Sequence, residues 1–354
     1  MMVLVIYPSS LLGWSALYGP NSSVFMAIIT VVISCWIVFR NSVNNTGISR
    51  MPRVFFILAF PLILLLYFRL DTFLVREVVC SFLVLLYFTG NTNNFHKIRK
   101  IFRFTLIISL GLYVVLQFVP YDFGIKPIHG PLNLRDSWGD ADYYTVFGLL
   151  LDRVQDGRHF LRYSAHFLEP TWLWLYLFIF TNKVKKNIVD ILLGLISVAW
   201  FGLLSLVVGG VFVGLRREFV KFLFVCVLLY FSLSFIRSMD IYTIKIDQML
   251  FMVEKGFFYL PDISLFGGEL ESDRRFGLGI LNVLSNYGLV GVLVYFILLI
   301  NNLNIAWRTE NKWTMVITIA FSLFSLKAGG FLIPHVLYTI SLKYDNYYDH
   351  LSTK

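Results

Sequence analysis

Charge is scarce along this chain. Only 14% of its 354 residues are Asp, Glu, Lys or Arg, against about 25% in water-soluble domains, while 58% are hydrophobic and the mean hydropathy is +0.73. That balance excludes a water-soluble globule, in which charge would break up the apolar runs. Cysteine is scarcer still: Cys35, Cys80 and Cys226 each sit inside an apolar run, where a thiol behaves as a small hydrophobe, so neither a disulfide framework nor a cysteine metal site is expected. The opening Met1-Met2-Val3-Leu4-Val5-Ile6 lacks a basic leader and a small-residue cleavage site, and reads as a first span rather than a removable signal. Internal repeats and low-complexity linkers are also missing, which points to a single integral membrane domain over residues 1–354.

Apolar runs fill most of the sequence, near 2–18, 24–39, 54–68, 73–89, 104–120, 170–181, 188–206, 207–215, 219–236, 277–300, 313–326 and 328–341. Several fall short of the roughly 20 residues that a spanning helix needs. Backbone polar groups in lipid must be satisfied internally, and the runs do not alternate with period two, so they read as helices and not barrel strands. The expected fold is all-α: a polytopic transmembrane helical bundle of about 10–12 spans. Basic residues mark one set of connections, among them Lys97, Arg99, Lys100 and Arg103, then Lys183, Lys185 and Lys186, then Arg308 and Lys312. By the positive-inside rule these connections are cytoplasmic. The net charge of +9 is thereby accounted for by membrane orientation, and no nucleic-acid partner is expected.

Two polar stretches interrupt the apolar pattern, 121–169 and 237–276, and between them they hold 14 of the 21 acidic residues. They emerge opposite the basic connections as a first and a second large periplasmic loop. Charges held where a chain re-enters hydrocarbon are costly when idle, which directs attention to the two re-entry points. At the first, a helix over 150–168 would place Arg158, Arg162 and His166 on one face, with Glu169 one turn further along. Pro170 suits the first turn of the next helix, and Glu169 before it favours that helix's positive end, fixed at the membrane surface. The blander reading is that Arg162 and Glu169 pair with each other or reach out to headgroups. An arginine row beside an acid–base residue suits a substrate carrying a pyrophosphate, because guanidinium binds phosphate bidentately at any physiological pH. At the second re-entry point, Asp273-Arg274-Arg275 precedes a run in which Gly288 and Gly291 would permit close helix packing and Asn282, Ser285 and Asn286 would make interhelical hydrogen bonds. Asp136, Asp140 and Asp142 lack the ligand ladder of a calcium loop, so no metal site is expected.

At these residues the chain resembles the O-antigen polymerase and ligase superfamily. One motif is Arg162 with Glu169-Pro170 entering a span; the other is Arg275-Phe276-Gly277, Leu281, Leu284 and Gly288-Leu289-Val290-Gly291 closing the second loop. Two departures matter. Gly277-Leu278 stands where the superfamily's ligases carry a His-Asn pair, which favours polymerase over ligase, and Ser205-Leu206-Val207-Val208-Gly209-Gly210 replaces a serine-arginine-glycine pattern. The resemblance implies an enzyme of the bacterial inner membrane with its active site facing the periplasm, joining undecaprenyl-pyrophosphate-linked oligosaccharides into a surface polysaccharide. By that resemblance Arg162 and Arg275, supported by Arg158 or Arg274, hold the leaving pyrophosphate, while Glu169 or His166 accepts the acceptor's proton or orients it. No cofactor is implied; beside the lipid-linked substrate and the bilayer, a chain-length regulator and a flippase are partners left open. The alternatives are a ligase that transfers glycan to a lipid core and, in a different class, a flippase or transporter, which would need polar residues distributed through its spans.

Overall fold

A computed structural model describes residues 53–68, 72–89, 92–118, 142–146, 150–155, 158–163, 165, 167, 170–183, 188–197, 200–214, 263–268, 278–328 and 332–352. The expected runs 2–18, 24–39 and 219–236 lie outside them. The helices are α1 Arg53–Phe68, α2 Thr72–Thr89, α3 Thr92–Phe118, α4 Pro170–Phe180, α5 Ile188–Ile196, α6 Trp200–Val213, α7 Gly279–Trp307, α8 Lys312–Ala328 and α9 Ile333–Ser352. Two of them, α3 over Phe95–Phe118 and α7, are long and apolar enough to cross a membrane. Large apolar side chains stand exposed at helical spacing on their outer faces: Phe104, Ile107, Ile108 and Val115 on α3, and Leu289, Leu293, Phe296 and Ile300 on α7.

The expectation of an all-α chain fails in the first polar stretch. Strands β1 Asp142–Val146, β2 Leu150–Gln155 and β3 Arg158–Arg162 form an antiparallel sheet in the order β1-β2-β3. The helix expected over 150–168 is therefore replaced by a hairpin, with Gln155 paired to Arg158 and Leu151 to Arg162. Local chemistry explains it. Asp156-Gly157 between the strands is a pair suited to a two-residue hairpin connection, and Tyr143-Tyr144-Thr145-Val146 is aromatic and β-branched.

A second correction concerns α3, which begins at Thr92 and takes Lys97, Arg99, Lys100 and Arg103 into the helix rather than leaving them in a connection. Lys and Arg are good helix formers, so a basic cluster does not by itself end a helix. Helix α5 stops near Ser197, whose hydroxyl donates to the Gly194 carbonyl at 2.5 Å, so the run expected over 188–206 divides there.

Aromatic rings join α3, α4 and α9 at one end of the bundle. Phe95 lies 5.2 Å from Tyr344 and 5.7 Å from Phe180, and Phe180 lies 4.7 Å from Phe102. Glycine lets the remaining helices close up. The indole of Trp174 fills the space where a side chain at Gly194 or Gly202 would stand, and Gly209 brings α6 against the Val316 carbonyl of α8.

Helix α7 is broken. Gly288 has φ 64° and ψ −161°, and the Leu289 and Val290 N–H groups donate to the Ser264 and Leu265 carbonyls at 3.0 and 3.1 Å. The Gly268 N–H in turn donates to the Ser285 carbonyl at 3.1 Å, so the segment 263–268 is hydrogen-bonded into the break. A Cβ on Gly288 would overlap the backbone of Ser264, Leu265 and Gly267. The expected role of Gly288 in helix–helix packing is replaced by a helix break that seats a stretch of the second loop. Asn282 does not reach across to another helix through the bond seen here: its amide donates to the Leu278 carbonyl at 3.3 Å, within its own helix.

Candidate functional site

Arg158 and Arg162 are the two predicted site residues whose backbone is described, and both lie in β3. Their interval of four is even, so the two positions fall on one face of a strand, as they would have on a helix. His166, Glu169, Arg274 and Arg275 lie outside the described residues.

The chain that follows Arg162 is pinned to the bundle. Tyr163, Ala165 and Phe167 are buried. The Tyr163 hydroxyl donates to the Leu106 carbonyl at 3.1 Å, its ring lies 5.5 Å from Tyr113, and Phe167 stacks on Tyr176 at 5.1 Å. Burial pushes the Tyr163 phenol up to about 12, which keeps it a neutral donor. Ala165 takes a left-handed φ of 51°, a turn that a non-glycine residue holds at a cost of about 1–2 kcal/mol. Such strain is kept where surrounding contacts over-determine it, and here it lies in the seven residues joining Arg162 to Pro170.

Pro170 opens α4 as the sequence suggested. Arg99 on α3 donates to the Thr181 carbonyl and to Asp345, which ties α3, the residue after α4 and α9 together. The α9 start is capped from α2: Glu77, buried, accepts the Leu332 and Ile333 N–H groups at 3.2 and 3.4 Å. A carboxylate on the positive end of a helix is favourable placement for both.

The other end of the bundle carries an ion cluster. Arg99 holds Asp345 through both terminal nitrogens at 2.9 and 3.2 Å, and the two side chains are 4% and 3% exposed. Lys183, fully buried, donates to the Ile179 carbonyl at 3.2 Å and to Ser341 at 2.6 Å, lies 3.7 Å from Asp345 and sits over the Tyr338 ring. Desolvation outweighs the pull of Asp345 and brings the Lys183 ammonium down to about 7. Beside it, the half-exposed Arg103 pairs with Asp190 at 2.6 Å.

The sequence placed Arg99 and Lys183 in basic connections and gave no role to Glu77, Asp190, His335 and Asp345. The signal available was an ionisable residue inside or next to an apolar run, since such a residue needs a buried partner. Among the described residues no group of three His, Cys, Asp or Glu side chains could hold a metal ion.

No protein family, curated protein or solved structure matches the chain.

Proposed function

We propose that the chain is a multi-pass protein of the bacterial inner membrane that polymerises undecaprenyl-pyrophosphate-linked oligosaccharide repeat units on the periplasmic face. The observation that carries this reading is the arrangement around Arg162. A strand bearing two arginines runs directly into a connection pinned at Tyr163 and Phe167 and strained at Ala165, and after the seven residues that follow Arg162 the chain enters α4 at Pro170, whose positive end follows that connection. An anionic leaving group suits such a place, because oriented N–H groups and guanidinium act together on charge that develops in the transition state. In the reaction, a hydroxyl of one lipid-linked unit attacks the anomeric carbon of the growing chain, the bond to pyrophosphate breaks, and Glu169 or His166 takes the hydroxyl proton. Arg162 and Arg275, with Arg158 or Arg274, hold the departing pyrophosphate.

Multi-pass insertion is supported by the exposed apolar stripes on α1, α3 and α7 and by the gathering of Arg99, Arg103 and Lys183 at one bundle end. Asp140→Cys and Lys185→Cys should react with an impermeant thiol reagent from opposite sides of the membrane; reaction from one side removes the topology.

A second reading, a flippase or transporter, is favoured by one observation: the ionisable Glu77 and His335 are buried within the bundle, which a polymerase with all its chemistry in the loops does not require. Radiolabelled lipid-linked oligosaccharide with purified protein separates the readings. Longer glycan marks a polymerase, transfer to a lipid core a ligase, and translocation without elongation a flippase. Arg162→Lys should abolish most elongation while the protein still inserts, and Arg135→Lys should not; equal activity in both sinks the pyrophosphate clamp.

A further inference from the structure

The contact between α7, α8 and α9 holds polar atoms that neither the ion cluster nor the proposed reaction uses. His335, in the first turn of α9, is 0% exposed, with its ring edge-on between Tyr295 of α7 at 4.7 Å and Phe321 of α8 at 5.2 Å. Neither Nδ1 nor Nε2 meets a hydrogen-bonding group of the protein. One turn further along α9, the Thr339 hydroxyl donates to the Oδ1 of the fully buried Asn302 at 2.6 Å, while Asn302 Nδ2 has no protein partner. Tyr295 precedes Asn302 by two turns on α7, and its buried hydroxyl also lacks a hydrogen-bond partner among the described residues.

A neutral imidazole carries one N–H donor and one acceptor nitrogen, and an amide nitrogen carries two donors. Leaving these bare in a tightly packed interior is disfavoured, and a phenyl ring of similar size would incur no such loss. Two independent groups on facing helices share this condition, one turn apart, which is a span that one or two water molecules bridge.

We propose that His335 and Asn302, with Tyr295 on the rim, form an internal water-binding site at the centre of the α7–α8–α9 contact. Water accepts from Asn302 Nδ2 and donates to the acceptor nitrogen of His335, and the remaining imidazole N–H donates to the same cluster. The group set selects water over a cation, since it offers an imidazole, an amide donor and hydroxyls but no carboxylate or thiol. The charged groups described on the elements packed against α9 stand at its ends: Glu77 at the start, Arg99 and Lys183 with Asp345 at the other.

The test is deuterium exchange of the His335 ring N–H in the purified full-length protein in detergent, read by infrared or nitrogen NMR and assigned as the signal lost in His335→Phe, or in His335→Gln where the former does not insert. A hydrated site exchanges this proton faster than the backbone amides in the middle of α9. Melting gives the second readout. His335→Phe, which cannot bind the water, should lower the Tm by about 3 °C or more, with His335→Gln closer to wild type. Exchange no faster than the helix amides, or a His335→Phe Tm at or above wild type, overturns the proposal and leaves a dry, unpaired imidazole. Neither readout depends on activity, so the proposal stands or falls separately from the polymerase reading.

Discussion

The two ends of the bundle are closed by different physics. One end is tied through side chains: Arg99 spans α3 to α9 through Asp345, and Lys183 adds the end of α4 to the same carboxylate. The other end is tied through freed backbone N–H groups: segment 263–268 supplies carbonyls to those at Gly288, and the Glu77 carboxylate takes the first ones of α9. Charge pairing tolerates some movement and depends on protonation. Backbone pairing into a helix break depends on conformation, and at Gly288 only glycine has it.

That difference can be broken most severely at the backbone end. Gly288→Val places a β-branched residue at φ 64° and drives its Cβ into the Ser264–Gly267 backbone, so neither side has a flexible group to move. We expect a loss above about 4 kcal/mol, read as failure to recover monodisperse protein. A variant with wild-type melting would mean the break is not needed.

Next comes the ionic end. Asp345→Ala leaves Arg99 and Lys183 buried together without a carboxylate, and removal of one partner from such a cluster costs about 3–5 kcal/mol. Arg99→Met combined with Asp345→Leu should recover much of it, because an apolar pair needs no compensation. If the double variant is worse than Asp345→Ala, the cluster does more than balance charge.

The pH dependence sharpens the same contrast. Folded Lys183 releases its proton near 7 while the unfolded residue keeps it to about 10.5, so between those values the unfolded state binds more protons and stability rises with pH. Melting temperature should climb over that window, and Lys183→Met should flatten the climb. The backbone pairs at Gly288 hold no titrating group. The smallest effect belongs to Arg103→Ala, whose pair with Asp190 is 34% exposed on the arginine side; because the Asp190 side chain is buried and loses a hydrogen bond, we expect a cost of about 1–3 kcal/mol.

Much of the helical layout was legible because apolar runs of sufficient length admit few other conformations. Helices α1, α2 and α8 fall within a residue or two of their expected runs, and Pro170 opens α4. The hairpin was missed because the spacing of Arg158, Arg162 and His166 fits a helix while Asp156-Gly157, the stronger local signal, went unweighed. For the candidate site, chain order put Arg162 a short connection ahead of Pro170, but the burial of Tyr163 and Phe167 in that connection could not be read from spacing, because it depends on α3 and α4 partners distant in sequence.

By itself, then, the sequence determined the apolar character of the chain, most of the described helices and the concentration of acidic residues in two stretches, because composition and run length act locally and need no knowledge of neighbours. The tertiary structure decided which charges are buried, where α7 breaks and what fills the break. Each of these is a pairing between residues far apart in the chain: Arg99 with Asp345, Glu77 with Ile333, Gly268 with Ser285. A lysine in a basic connection or a glycine in an apolar run carries no mark of its partner until packing brings the partner to it.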